Sequence, residues 1–500
     1  MGKIIRDVLL LITFSLLFFF GCETEKQKKE INEPPTPFID RFMDVPVTNG
    51  LESNLWGRSY VLPRDAENGI ESPDWAYWGG DVIKGPEGKY HMFVARWPEK
   101  QGHYPKEEER TSRIAWCTAD NPEGPFTWQK DILGEIHGHN PAIIEHNGTY
   151  ALYFISREGY DIALANSLEG PWTPMNLSIE GMEGWSNPAP VVRDDGSIVV
   201  VNRTPHNIYQ ADSLTGSYRE VATNWVPEGF VDVEDQVVWR EGGYYHLIAN
   251  EWSRRAAFYM YSQDGINWIL PSRYNAYVPG ITHYENGAST LWYKIERPKV
   301  LVENGVATYI YFAVTDVAKD RNLGGDNHND KTIAVPLSPL GSSKPRGPVS
   351  EGAYRIENSE TNMVMSVIGG ENEDGAPTHL RNWDNATNQR WLVTYIGNGA
   401  YRLEVTHSLE MDWQKVLSVE NASMQDGASL VQQTWNDGDG EEQLWEIQEN
   451  NDGTYRITNM HSGKVADITN DSIGVGPHVI QAEWDNSESQ KWKFKMPISN

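Results

Sequence analysis

A signature that returns about every 47 residues constrains this chain more than any other feature. Asn140-Pro141-Ala142-Ile143 is followed by Asn147-Gly148-Thr149-Tyr150, and Asn187-Pro188-Ala189-Pro190 by Asp194-Asp195-Gly196. Glu234-Asp235-Gln236-Val237 is followed by Gly242-Gly243-Tyr244-Tyr245. Two outer units keep the pattern at a wider spacing. Gly79-Gly80-Asp81 leads to Pro86-Glu87-Gly88, and Glu296-Arg297-Pro298 leads to Glu303-Asn304-Gly305. A second marker closes the units, as in Glu123-Gly124-Pro125-Phe126, Glu169-Gly170-Pro171-Trp172 and Asp264-Gly265-Ile266-Asn267-Trp268. Strand, glycine turn, aromatic strand, strand and turn in so short a unit describe one propeller blade. Five units predict a five-bladed β-propeller over residues 50–337, whose innermost strands line one channel. Residues far apart in sequence then meet at the strand heads: Asp81, His139 and Asn140, Asn187, Glu234 with Asp235, and Glu296 with Arg297.

Composition supports the all-β reading. Twenty Trp and 23 Tyr are many for 500 residues, and apolar runs at helical spacing are scarce. A formal net charge of -28 argues against nucleic acid as a partner, because that ligand needs a basic surface. Cys22 and Cys117 are the two cysteines. Cys117 lies in the strand-like Arg113-Ile114-Ala115-Trp116-Cys117 and reads as a buried apolar residue.

The N-terminus reads as an address. Lys3 and Arg6 precede a nearly continuous apolar run from Val8 to Phe20, the pattern of a signal peptide over residues 1–21. The run ends Phe19-Phe20-Gly21-Cys22, which resembles a bacterial lipoprotein signal. That resemblance implies cleavage before Cys22, lipidation of its thiol, and anchoring to the envelope of a Gram-negative bacterium, at the outer membrane or cell surface; the protein is expected to be a monomer. Residues 22–49 are expected to form a tether, since their start is charged, proline-containing and aperiodic.

A Ser-, Pro- and Gly-rich stretch over 338–349 predicts a linker. Beyond it the repeat changes. Tyr354-Arg355-Ile356, Tyr401-Arg402-Leu403 and Tyr455-Arg456-Ile457 open three units. Gln389-Arg390-Trp391, Gln443-Leu444-Trp445 and Gln490-Lys491-Trp492 close them. Three Gln-x-Trp closures resemble the ricin-type β-trefoil lectin family over residues 350–500, so the second domain is expected to be a β-trefoil that binds carbohydrate. The family's sugar-binding Asp falls on Ser366, Ser418 and Asp467. Asp467 with Trp484 is therefore the expected lectin site.

Cleaving a glycosidic bond takes one carboxyl group that is protonated and one that is ionised, on either side of the bond. The acidic strand heads suit that requirement. The five-unit region resembles the five-bladed glycoside hydrolases of families 43, 32 and 117. In family 43, a blade-four strand carries the general-acid Glu at its head and Tyr-Tyr further on, matching Glu234 and Tyr244-Tyr245. The resemblance implies Glu234 as proton donor and Asp81 as general base in an inverting hydrolase of plant or algal polysaccharide fragments, with Asp74 as the alternative base. The family's third Asp is replaced by Asn187, which leaves Asp235 or Glu296 to tune the acid. His139, Asn140, Asn187, Glu296, Arg297, Trp78 and Asp74 are the expected substrate-binding residues. No His-x-x-x-His pair or clustered carboxylate loop occurs, so neither metal nor other cofactor is expected. A catalytically inactive glycan-binding lipoprotein is the alternative.

Overall fold

The computed structural model describes residues 37–52, 64–103, 111–278, 281–408, 414–436, 440–469 and 476–498. The signal segment, Cys22 and the first part of the expected tether lie outside them. Among the described residues the chain is almost entirely β: a five-bladed propeller followed by a β-trefoil.

Each of the first four blades is an antiparallel meander, with its innermost strand first in sequence. The inner strands are Trp75–Lys84, His139–His146, Ala189–Val192, Val233–Glu241 and Lys294–Glu303. Each packs beside the next, and the fifth returns to the first, which closes the ring. The hairpins leaving the channel turn on residues that tolerate positive φ. Asn147-Gly148 has φ 53° and 78°, Gly242-Gly243 59° and 85°, and Asn304-Gly305 52° and 78°. That geometry is why the Asn-Gly and Gly-Gly pairs mark the repeat so clearly. The core lies between blades, where Tyr153, Trp185, Tyr209 and Tyr218 fill one seam and Phe93, Phe154 and Trp172 another. Cys117 is fully buried in the blade-one core, as expected.

The fifth blade has three strands of its own, Lys294–Glu303, Val306–Thr315 and Asp330–Pro336. Its outer edge is covered from the N-terminal side. Ile70 exchanges backbone hydrogen bonds with Thr332 at 2.9 and 3.3 Å, and the Asn68 amide bonds Ala334 in both directions at 2.9 Å. Beside this seam Glu71 is buried between Arg64 and Lys331, 2.8 Å from each. The ring is thus fastened by chain that precedes blade one.

The tether expected over 22–49 ends earlier than predicted. Phe38–Arg41 forms one turn of 3-10 helix with all four residues buried. Phe38 stacks on Tyr259 and meets Trp239 edge-on. Arg41 makes a bidentate pair with Glu241 at 2.8 and 3.0 Å, and both side chains are buried. An aromatic anchor and an internal ion pair fold this segment onto blade four.

In the trefoil, each closing motif makes the same bonds. Trp391, Trp445 and Trp492 are fully buried, and their indoles donate to the carbonyls of Met365, Leu417 and Ala466 at 2.9–3.0 Å. Gln389, Gln443 and Gln490 each donate to the carbonyl of the residue that precedes a tryptophan and accept from the amide of the residue that follows it. The Gln-x-Trp motif is therefore a core device.

Candidate functional site

Four inner strands carry the same two-residue bulge near their heads, between Trp78 and Asp81, His139 and Ala142, Glu234 and Val237, and Glu296 and Lys299. One residue in each is left-handed: Gly79 (φ 69°), Asn140 (51°), Asp235 (59°) and Arg297 (54°). Asn187 (51°) supplies the same turn before the third strand. Glycine, asparagine and aspartate are the residues that enter this region most easily, so the heads are rich in them for conformational reasons first.

These five residues surround the neck of the channel, where the free space narrows to about 10 Å³. The Asn140 amide donates to the Asn187 side chain, whose own amide donates to Asp235 at 3.1 Å. Arg297 pairs with Asp235 from the other side, and its backbone N–H reaches the same carboxylate at 3.4 Å. Gly79 completes the ring without a side chain. A Cβ there would lie 3.3 Å from that of Arg297, so glycine makes room for the arginine. Asn140, Asn187 and Arg297, expected on substrate, instead tie blades two to five together around the axis. Asn140 engages Asn187, and Asn187 and Arg297 both engage Asp235.

The residue before each left-handed position stands at one end of the neck: Trp78, His139, Ser186, Glu234 and Glu296. Here the carboxylates of Glu234, Asp235 and Glu296 converge, with one oxygen of each lying within 4.8 Å of the others. Each acid has a cation from the chain. Arg203 pairs with Glu234 at 3.1 Å, Arg297 with Asp235, Lys294 with Glu296 at 3.2 Å, and Lys319 also with Glu296. Grouped carboxylates are what a divalent cation seeks, but these are already neutralised by nitrogen.

The acids differ in ionisation. Burial pushes Asp235 up to about 7; Arg297 opposes this, and the charges of Glu234 and Glu296 add to it. Burial would also raise Glu296, but Lys319, then Lys294, outweigh it and hold its carboxyl well below the usual range. Neighbouring carboxyl groups driven apart in this way are a common basis for acid and base roles. Burial, then the charge of Arg297, keeps His139 neutral; its Nδ1 lies 3.2 Å from Ser112 Oγ.

Trp78 is not an open platform. It is 1 % exposed, Lys319 sits 4.5 Å above its ring, and His103 meets it edge-on. Asp74 is exposed at the start of the blade-one strand, with no bond to the cluster among the described residues. Asp81 is the main correction. Gly79, not Asp81, is the counterpart of Asn140, Asn187 and Asp235. Asp81 therefore falls two residues past the left-handed position, in register with Ala142, Ala189, Val237 and Lys299. It lines the cavity of about 390 Å³ on the other side of the neck from Glu234, accepting from Ile143 N–H at 2.9 Å. The two residues expected to flank one bond face opposite ends of the channel.

Three further side chains reach the acid cluster from outside the strand heads, and of these Lys319 and Tyr277 were missed from sequence. Arg203 and Lys319 lie after other strands and carry no marker of the repeat. Tyr277, on the extra blade-four strand Asn275–Tyr277, is buried with an unbonded hydroxyl in the field of Asp235 and Glu296. In the trefoil, Asp467 accepts from its own strand at Ile468 N–H (2.7 Å) and from Gln490 (3.0 Å), and Arg456 stacks 5.3 Å from the Trp484 ring. Trp383 and Trp435 carry Arg355 and Arg402 in the same manner.

Comparison with known proteins bears on the trefoil most directly. The family model described as ricin-type beta-trefoil lectin domain-like matches residues 344–433, 412–482 and 441–499. A designed threefold-symmetric protein, ThreeFoil, is 30% identical, covering 29% of this chain and 98% of its own, with a TM-score of 0.27. Pierisin from Pieris brassicae is 28% identical over 120 residues; the match covers 23% of this chain and 13% of that protein's length. An exo-beta-1,3-galactanase from Clostridium thermocellum is similar over 84% of this chain and 95% of its own, at 17% identity and a TM-score of 0.40. A family 117 glycoside hydrolase from Zobellia galactanivorans is similar over 61% of this chain and 92% of its own, at 13% identity and a TM-score of 0.39.

Proposed function

We propose that the protein is a glycoside hydrolase whose proton donor is Glu234. The observation that carries this reading is the convergence of Glu234, Asp235 and Glu296 within 4.8 Å at one end of the channel. Glu234 is the least buried of the three, and so the one a glycosidic oxygen can reach. Glu296, kept ionised by Lys319 and Lys294, stands where positive charge develops at the anomeric carbon. Asp235, behind them, changes charge near neutrality and tunes the donor. The close spacing favours the retaining arrangement, with carboxyl groups about 5–5.5 Å apart, over the inverting one at about 6.5–9.5 Å. This replaces the Asp81–Glu234 inverting pair expected from sequence.

The test is release of sugar from a panel of plant and algal oligosaccharides, with anomeric configuration followed by NMR. Retention is the expected outcome, and Glu234→Gln should lower the rate by about 10²–10⁴-fold, the usual contribution of a general acid. A second reading, a glycan-binding protein without catalysis, is favoured by one observation: all three acids are already ion-paired. Binding of the same oligosaccharides with no release from any of them would support it.

The trefoil, with Trp484 as its platform, is proposed to hold glycan close to the propeller, which raises its local concentration. Lipidation at Cys22 would keep both domains at the cell envelope. A Cys22→Ala protein that still fractionates with membranes would remove that part of the reading.

A further inference from the structure

The charges at the acid cluster differ in how far they reach solvent. The side chains of Asp235, Glu296 and Glu234 are 0%, 4% and 13% exposed. Arg203 is 38% exposed and Lys294 22%. Lys319 and Arg297, at 9% and 13%, lie deeper. Among these seven paired groups, in a chain of net charge -28, the two most accessible are therefore cationic, Arg203 and Lys294.

Arg203 is also held in place from behind. Its backbone N–H donates to Ser186 O at 2.9 Å. The preceding Asn202 is fully buried, accepts from Ser186 N–H at 2.9 Å, and donates to Thr204 O at 2.9 Å. The guanidinium is thereby presented from a fixed loop base at the head of blade three, beside Glu234. A guanidinium has five N–H donors in a planar fork, which suits a carboxylate or a sulfate.

Resting on the hydrolase reading of this site, we propose that its substrate is an acidic glycan, and that Arg203 takes the sugar's carboxylate or sulfate group. The sign of the local field would draw such a group in despite the overall negative charge. Recognition and chemistry are then linked. The substrate anion and the acid then meet at one guanidinium, which sets the bound sugar beside Glu234.

The test uses the full-length protein, with three sets of oligosaccharides of matched length: neutral, uronate-containing and sulfated. Sugar release and calorimetric binding are both measured, at low and high salt. The expected result is binding and cleavage of one acidic set, weakened by salt, with Arg203→Met raising KM or Kd for that set by about tenfold or more and Arg203→Lys by less. Which acidic set responds distinguishes carboxylate from sulfate. Thermal melting of both variants separates loss of recognition from loss of fold. Cleavage of neutral glycan that Arg203→Met leaves unchanged, with no preference for acidic sets, would overturn this inference and leave the hydrolase reading standing. Arg203-dependent binding of an acidic set without cleavage would support the inference and remove the hydrolase reading.

Discussion

The two ends of the propeller channel are built from the same five strands and differ in chemistry. On one side of the neck stand Glu234 and Glu296, with Asp235 between them and four cations around. On the other, three positions of the equivalent ring are Ala142, Ala189 and Val237, and Asp81 and Lys299 face a cavity walled by Ile, Val and Leu. Burial pushes the Asp81 carboxyl up and the Lys299 ammonium down, each partly opposed by the other, so that end favours uncharged forms. At the Glu234 end, several charges are kept by mutual pairing. The bulge decides which end a residue serves. One residue before the left-handed position faces the acid cluster, and two residues after it face the cavity.

Stability is the broadest way to break this comparison. Glu296→Gln strands Lys319 and Lys294 and should cost about 3–5 kcal/mol, the usual price of removing one partner from a buried pair. Asp81→Asn keeps an acceptor for Ile143 N–H and should cost under about 1 kcal/mol. Urea melts of the two proteins would measure this, and equal losses would mean that the two ends are not electrostatically distinct.

A pH series sharpens the point. The Asp235 carboxyl is raised from 3.8 to about 7 in the folded chain, so the fold holds a proton there that the unfolded chain has released. Its contribution is largest at low pH and is lost as pH rises through about 7. Whatever the constant offset, the stability of Asp235→Asn relative to wild type should improve from pH 4 to about 7 and level off above it. A flat difference would place the proton elsewhere.

The smallest effect tests the bulge itself. Gly79→Ala must accept a φ of 69° and a Cβ at 3.3 Å from that of Arg297. It should cost about 1 kcal/mol, chiefly through backbone strain. No change would mean that the left-handed turn in blade one is dispensable.

Much of the fold was legible. The Asn-Gly and Gly-Gly turns set the blade period because two-residue hairpins require positive φ, and the three Gln-x-Trp motifs carry the trefoil core. Glu234 beside Asp235 was also legible, as an acidic pair at a strand head. The end faced by Asp81 was not. Gly79-Gly80-Asp81 looks like an acidic head, but the residue equivalent to Asn140 and Asp235 is Gly79. Tolerance of positive φ, rather than charge, was the signal to align on. Lys319 and Tyr277 were hidden for another reason: they reach the cluster from a 3-10 turn and an extra strand outside the repeat. Residues 37–45 looked like tether because the burial of Phe38 and the Arg41–Glu241 pair depend on partners about 200 residues away.

The most direct measurement is sugar release by wild type, Glu234→Gln and Asp81→Asn, side by side on whichever oligosaccharide the wild type cleaves. The predicted result is a loss of about a hundredfold or more in Glu234→Gln, the lower range for a general acid, and near wild-type rates in Asp81→Asn. Full activity in Glu234→Gln, or an equal loss in Asp81→Asn with its fold intact, would contradict a catalytic centre confined to the Glu234 end of the channel.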